Sequence, residues 1–280
     1  MQELRGKPVI DALDEKFHIN IQKLEQKGIL PKLMIVRVGE RDDDLAYEKG
    51  IIKRFSHVHA IAEVIVLPLD CSQKILDETI NTLNEDKSVH GILLFRPLPK
   101  HLSEDTVKSI ISKNKDVDCM GINNIAHVFS GERNCYPPCT AQAVIELLDY
   151  YKIDVTGKKV TIVGRSLVVG KPLSMLLLGK NATVTICHTK TENLTHECRK
   201  ADILIACAGV AKMIKENFVN SDQIIIDVGI NVENGKLCGD VDYDSVANKV
   251  KAITPVPGGI GTVTTSVLLK HTIQSANKLA

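Results

Sequence analysis

Residues 160–172 read Val-Thr-Ile-Val-Gly-Arg-Ser-Leu-Val-Val-Gly-Lys-Pro and set a β-branched apolar run, a turn and a helix start in immediate succession. The run reads as a buried strand, Gly164 lets the chain turn without a Cβ clash, and Gly170-Lys171-Pro172 opens an apolar helix that continues through Leu178. A strand feeding a helix N terminus aims backbone N–H groups and the positive end of the helix dipole at one spot, which suits an anion. Two phosphate-binding motifs lie close to this pattern, and neither fits it. The P-loop has four residues between its glycine and its Gly-Lys and then a Ser or Thr, whereas residues 165–169 make five here and Pro172 has no hydroxyl. Of the Rossmann fingerprint Gly-x-Gly-x-x-Gly, only Gly164 is in place. The stretch alone is therefore compatible with a dinucleotide or phosphate site at the head of a βαβ unit, and equally with a strand, turn and helix that bind nothing.

The same alternation recurs along the chain. Residues 11–28 have helical spacing (Leu13, Phe17, Ile21, Leu24) with Gly28 placed to stop it. Strands are expected at 33–38, 62–67 and 90–95. Helices are expected at 42–55, opened by three aspartates, at 72–83 behind an N-cap Ser72, and at 102–111. Such alternation implies parallel pairing through right-handed crossovers. Lys115-Asp116-Val117-Asp118 is a charged stretch without clear periodicity and reads as a domain junction. Beyond it come a helix at 139–148, strands at 160–164, 183–187, 203–207, 223–228 and 252–254, helices from Pro172 and at 194–199, and a last helix at 264–279. The fold class is α/β, with two α/β domains, the second Rossmann-like, and a cleft between them.

A chain of 280 residues is near the limit for a single core, which favours the same division. A net charge of +1 without a long basic run gives no basis for binding nucleic acid or a membrane, and directs attention to small molecules. No apolar run approaches the length of a membrane span, and residues 1–7 lack the apolar core of a signal peptide, so the expected location is cytoplasmic. Eight scattered cysteines fit reduced, buried thiols; the one close pair, Cys135 and Cys139, has no ligand cluster beside it, and no metal site is expected.

In open α/β sheets ligands bind at the carboxyl ends of the strands, which singles out the loops after Gly39, Phe95, Gly164, Cys187, Cys207, Val228 and Thr254. After Cys187 the chain reads His188-Thr189-Lys190-Thr191, with no carboxylate at the strand end to meet the ribose hydroxyls of NAD. With Arg165 beside the first loop, this favours the 2′-phosphate of NADP. Two solvated surface cations are the alternative.

Several segments together resemble the bifunctional methylenetetrahydrofolate dehydrogenase/methenyltetrahydrofolate cyclohydrolase family. They are Gly164-Arg-Ser166 with Val169-Gly-Lys-Pro172, Asn181-Ala-Thr-Val-Thr185, Cys187-His188, Asp227-Val-Gly-Ile-Asn231, Gly239-Asp-Val-Asp242 and Thr254-Pro-Val-Pro-Gly-Gly259, joined by Lys115-Asp-Val-Asp118 and Pro138-Cys-Thr140. The resemblance implies a folate-binding catalytic domain from residues 1–137 and 262–280, an NADP-binding domain over 138–261, and a homodimer. It implies oxidation of 5,10-methylenetetrahydrofolate by NADP⁺ in one-carbon metabolism, then hydration of the methenyl product. By residue, it implies Tyr47 against the folate and Asp118 bonded to the pterin; without the resemblance these read as a half-buried helix aromatic and a turn carboxylate. Gly164, Arg165, Ser166, Gly170, Thr189 and Ile230 are implied on the cofactor, with Arg165 and Thr189 near its 2′-phosphate. Pro257, Gly258 and Gly259 are implied on the substrate.

The family pattern is broken at two positions. Tyr-x-x-x-Lys places a lysine one helical turn after the tyrosine as acid/base of the cyclohydrolase, and this chain has Ile51 there. Lys49 and Lys53 point about 200–240° round the helix from Tyr47 and cannot substitute. Where the family reads Val-Gln-Leu-Pro, this chain reads Leu94-Phe95-Arg96-Pro97, so the glutamine that partners the lysine is also gone. Replacing both members of a buried polar pair is coherent, since removing one would strand the other. Arg96 stays protonated and is a poor general base. Asp44, Cys119 and Thr262-Val263 depart from the pattern too. The expectation is a dehydrogenase with weak or absent cyclohydrolase activity; the alternatives are a fully bifunctional enzyme, a nucleotide-binding homologue without turnover, or a shikimate-type dehydrogenase, against which Asp118 and residues 255–259 argue.

Overall fold

The structure is a computed structural model that describes residues 1–132 and 134–280. In chain order the elements are β1 (Gln2–Glu3), α1 (Gly6–Glu25), β2 (Lys32–Val38), α2 (Asp42–Ser56), β3 (Ile61–Leu67), α3 (Gln73–Glu85), β4 (Gly91–Leu94), α4 (Glu104–Ile110), α5 (Ile122–Ser130) and α6 (Cys139–Tyr150). They continue with β5 (Lys159–Val163), α7 (Gly170–Leu178), β6 (Thr183–Cys187), α8 (Leu194–Arg199), β7 (Ile203–Ala206), β8 (Ile224–Asp227), β9 (Asn231–Glu233), β10 (Lys236–Cys238), α9 (Tyr243–Val246), β11 (Ala252–Ile253) and α10 (Ile260–Leu279). Two compact units result, one from residues 12–139 and 265–280, the other from 1–11 and 140–264.

The first unit holds a three-stranded parallel sheet in the order β3-β2-β4. Its central strand is buried on both faces from Leu33 to Val38, which is why it reads as an apolar run rather than as an alternation, interrupted by Arg37, whose guanidinium is satisfied by the Glu48 carboxylate at 2.7 Å. Parallel neighbours need crossovers, and α2 and α3 supply them. Ser72 caps α3 by accepting from the Ile75 N–H, and Asp42, Asp43 and Asp44 sit at the positive end of α2. Leu76, Ile80 and Leu83 of α3 pack with Val36, Ile92 and Leu94 in one core. Arg54 anchors α2 by bonding to the Asp14 carboxylate of α1 and, at 2.8 Å, to Ser266 of α10.

The second unit holds a six-stranded sheet in the order β1-β11-β8-β7-β5-β6, parallel throughout. From β5 the chain goes outward to β6 and then returns to the other side of β5 as β7. The strand order therefore reverses between β5 and β7, and this is the place where a doubly wound sheet opens a crevice.

Four features differ from the sequence reading. Residues 1–11, placed by sequence with the first domain, group with the second unit: Gln2 and Glu3 register with Ala252 and Ile253, and the Gly6 N–H meets the Gly258 carbonyl at 2.8 Å. Residues 115–118 are no junction. Lys115 is buried because its ammonium meets the carbonyls of Leu83, Asn84 and Asp86 at 2.6–2.9 Å. Asp116 is buried because its carboxylate takes the Met120 and Gly121 N–H groups at 2.8 and 2.9 Å. Helix α5 was not foreseen, although Ile122, Ile125 and Phe129 keep helical spacing and Gly131 ends it at φ 75°. The β9–β10 hairpin was also missed, despite its Asn234-Gly235 turn at φ 51° and 74°. Among the described residues no helix is long and apolar enough to cross a membrane.

Candidate active site

In the first unit the site grows from α2 and the end of β4. Tyr47, Ile51 and Phe55 recur at four-residue spacing on one face of α2, and Ile51 and Phe55 are wholly buried. Phe95, just beyond β4, stacks on Tyr47 with ring centroids 5.6 Å apart and planes 29° apart. Ile51 and Phe95 are thus an apolar floor and wall beside the tyrosine. Lys49 and Lys53 are exposed. Arg96 stands 4.0 Å from the Glu104 carboxylate.

Asp118 follows the pinned Lys115-Asp116 segment and accepts the Cys139 N–H at 2.8 Å. Burial pushes its carboxyl above the usual range, against the opposing pull of the Cys139 donors and the Arg96 charge. Tyr47 is 38% exposed along its side chain, yet burial of its hydroxyl end, followed by the nearby Asp118 carboxylate, holds the phenol well above its ordinary pKa. Cys139 is pushed up by burial and then by Asp118, so this thiol stays protonated. These residues therefore offer a hydrogen-bonding carboxyl and a neutral phenol stacked on an aromatic ring. Cys119, where the family pattern has glycine, takes a left-handed φ of 58°.

In the second unit the predicted cofactor residues occupy neighbouring loops. Gly164 follows β5 and its N–H donates to the Cys187 carbonyl at 2.9 Å, so the 164–169 loop and the 188–191 loop run side by side. Arg165, Ser166 and Thr189 are exposed on them. Ser166 shapes its loop by accepting from the Val169 N–H on Oγ and the Lys171 N–H on its carbonyl, both at 3.1 Å. Helix α7 begins at Gly170, not Pro172. A Cβ at Gly170 would lie 2.1 Å from the Gly164 carbonyl oxygen, and one at Gly164, whose φ is 134°, would lie 2.3 Å from that of Cys207. These two glycines let the loop fold back on itself where neither familiar motif fits. Gly164→Ala is expected to destabilise this unit by about 2–4 kcal/mol, read by urea unfolding, because both backbone strain and overpacking act there.

Ile230, Pro257, Gly258 and Gly259 line one pocket of about 170 Å³ together with Asp227 and Gly261. The sequence reading missed what holds this rim in place, the buried Asp227 and Asp240. Their signal was a carboxylate in each of the family-like segments 227–231 and 239–242. Burial pushes Asp227 up to about 7, although three backbone N–H groups pull the other way.

Together these features define a two-unit α/β protein whose second unit carries the rim of a doubly wound dinucleotide-binding sheet. Residues 4–118 match the catalytic domain of tetrahydrofolate dehydrogenase/cyclohydrolase, and residues 138–280 match its NAD(P)-binding domain. The chain belongs to the tetrahydrofolate dehydrogenase/cyclohydrolase family. The bifunctional protein FolD of Clostridioides difficile is 51% identical over 275 residues, covering 98% of this chain and 96% of the relative. The crystal structure of the bifunctional FolD dehydrogenase/cyclohydrolase from Campylobacter jejuni aligns over 99% of both chains with a TM-score of 0.97 at 38% identity. The Trypanosoma brucei enzyme, solved with NADP cofactor and an inhibitor, aligns over 98% of this chain and 96% of its own with a TM-score of 0.92 at 32% identity.

Proposed function

We propose that the protein oxidises 5,10-methylenetetrahydrofolate with NADP⁺ and that its methenyltetrahydrofolate cyclohydrolase activity is weak or absent. Family membership supports the first part. The second rests on one observation: Ile51 is wholly buried and Phe95 stacks on Tyr47, at the two positions where the family pattern has its lysine and glutamine.

The residues fit the cofactor. Gly164 and Gly170 bring the β5–α7 loop against its neighbours without side chains in the way, and Arg165 and Thr189 lie exposed on adjacent loops. When bound, NADP⁺ supplies the hydride acceptor. The chain's own task is to hold the donor carbon and the nicotinamide in contact, so positioning carries most of the catalysis. Tyr47, on its Phe95 platform, offers a flat face for the folate ring system. Asp118 accepts N–H groups of the pterin. No side-chain base is needed for hydride transfer, whereas hydration and ring opening require proton movement. Reduction of NADP⁺ on addition of methylenetetrahydrofolate tests the reading. NADP binding without turnover would instead indicate a nucleotide-binding homologue. By family likeness the reading includes a homodimer, which sedimentation equilibrium tests.

Asp118 gives this reading a pH signature. An ionised carboxylate accepts the pterin N–H groups, and a protonated one loses that capacity. Because burial raises the Asp118 pKa, KM for the folate is expected to climb as pH falls, starting at a higher pH than an exposed carboxylate would allow. Asp118→Asn should raise that KM by about tenfold or more and flatten the acidic limb. A parent-like limb in the variant would remove Asp118 from this role.

A further inference from the structure

Two buried carboxylates tie the strand-end loops of the second unit together. Asp240, completely buried, accepts the N–H groups of Ala208 and Gly209 on Oδ2 at 2.6 and 2.9 Å. Its Oδ1 accepts from the Val210 N–H and from the Asn231 side-chain amide, each at 2.9 Å. Asp227 accepts the Gly229 and Asp240 N–H groups at 3.0 Å and the Val241 N–H at 2.9 Å, and its own N–H donates to Thr254 Oγ1 at 2.7 Å. The two segments interlock. A Cβ at Gly229 would lie 2.2 Å from Asp240 Oδ1, and one at Gly239 would lie 1.9 Å from Asp227 Oδ2, so each glycine makes room for the other segment's carboxylate.

Three successive N–H groups converging on one point form an anion nest, and here the chain supplies its own anion. The loop is the one after β7, beside the reversal of strand order between β5 and β7. With its N–H groups engaged by Asp240, this loop has none of them to spare for cofactor phosphates, which leaves that task to the 164–170 loop. We propose that Asp240 is a positioning residue for the dinucleotide: it fixes residues 208–210 and, through Asn231 and the interlock with Asp227, the Gly229-Ile230 wall, so that the rim is formed before the cofactor arrives. This rests on the NADP reading above.

Calorimetric titration of NADP⁺ into the full-length parent, Asp240→Asn and Asn231→Ala, each with its thermal unfolding curve, tests it. Asp240→Asn sets an NH₂ group among donors and should raise Kd by about tenfold or more. Asn231→Ala removes one half-exposed donor, leaves the three backbone bonds to Asp240 intact, and should raise Kd by about two- to fivefold. Amide exchange at residues 208–210 should quicken in both. Parent-like NADP⁺ affinity in Asn231→Ala overturns the proposal whether or not Asp240→Asn folds, as does parent-like affinity in a folded Asp240→Asn. A parent that fails to bind NADP⁺ sinks the cofactor reading instead.

Discussion

Methenyltetrahydrofolate added to the purified protein should disappear at its spontaneous rate, while the same preparation reduces NADP⁺ with methylenetetrahydrofolate. Positioned acid/base groups contribute about 10²–10⁴-fold to such hydrolyses, and that is the size of the expected loss. The gain-of-function partner is the double variant Ile51→Lys with Phe95→Gln, which should raise hydrolysis by about 10²-fold. Neither single change should do so. Ile51→Lys alone would put a charge where the side chain has no exposure, and an unpaired buried charge costs about 3–5 kcal/mol or loses its proton. Phe95→Gln alone would strand an amide and forfeit the stack on Tyr47, worth about 0.5–1.5 kcal/mol beyond its area. A double-mutant cycle should therefore be strongly non-additive in both stability and hydrolysis. A parent protein that hydrolyses its product well above background would show that some other group moves the proton.

The strands were legible in the sequence because parallel strands covered on both faces read as short apolar runs, as in Ile203–Ala206, and these stood out between helical periods. Segments governed by long-range pairing were not. Gln2-Glu3 is too short to carry a period, and it becomes a strand only because residues 252–253, far along the chain, offer a free edge. Lys115 and Asp116 read as part of a charged domain junction, since nothing local announces that three carbonyls and two N–H groups will satisfy them. In the site, Tyr47, Ile51 and Phe95 could be related through helical spacing and a family pattern, but the stacking of Phe95 on Tyr47 is a tertiary fact. The reciprocal fit of Gly229 to Asp240 and Gly239 to Asp227 likewise needs coordinates, because each glycine answers to a carboxylate in another segment.

Arg165→Ala is expected to weaken NADP⁺ by about 10- to 100-fold while leaving NAD⁺ within about twofold, measured as KM or Kd for each cofactor. Arg165 is exposed in the loop after β5, and the parallel neighbour β6 delivers His188-Thr189-Lys190 alongside it, with no carboxylate at that strand end. Among the described residues Arg165 makes no ion pair or side-chain hydrogen bond, so no internal contact must break before its guanidinium meets a phosphate. A charge-assisted bond of this kind contributes about 1.5–3 kcal/mol, and NAD⁺ lacks the group that would receive it. Exposure adds a second signature: salt should weaken NADP⁺ more than NAD⁺ in the parent, and the difference should vanish in Arg165→Ala. Thr189→Ala, which removes a neutral hydroxyl, should cost less, about two- to tenfold, and should leave the salt difference in place. If both variants kept the parent's preference between the cofactors, Arg165 would be a solvated surface cation, and the selectivity would have to come from the Lys190 side of the crevice.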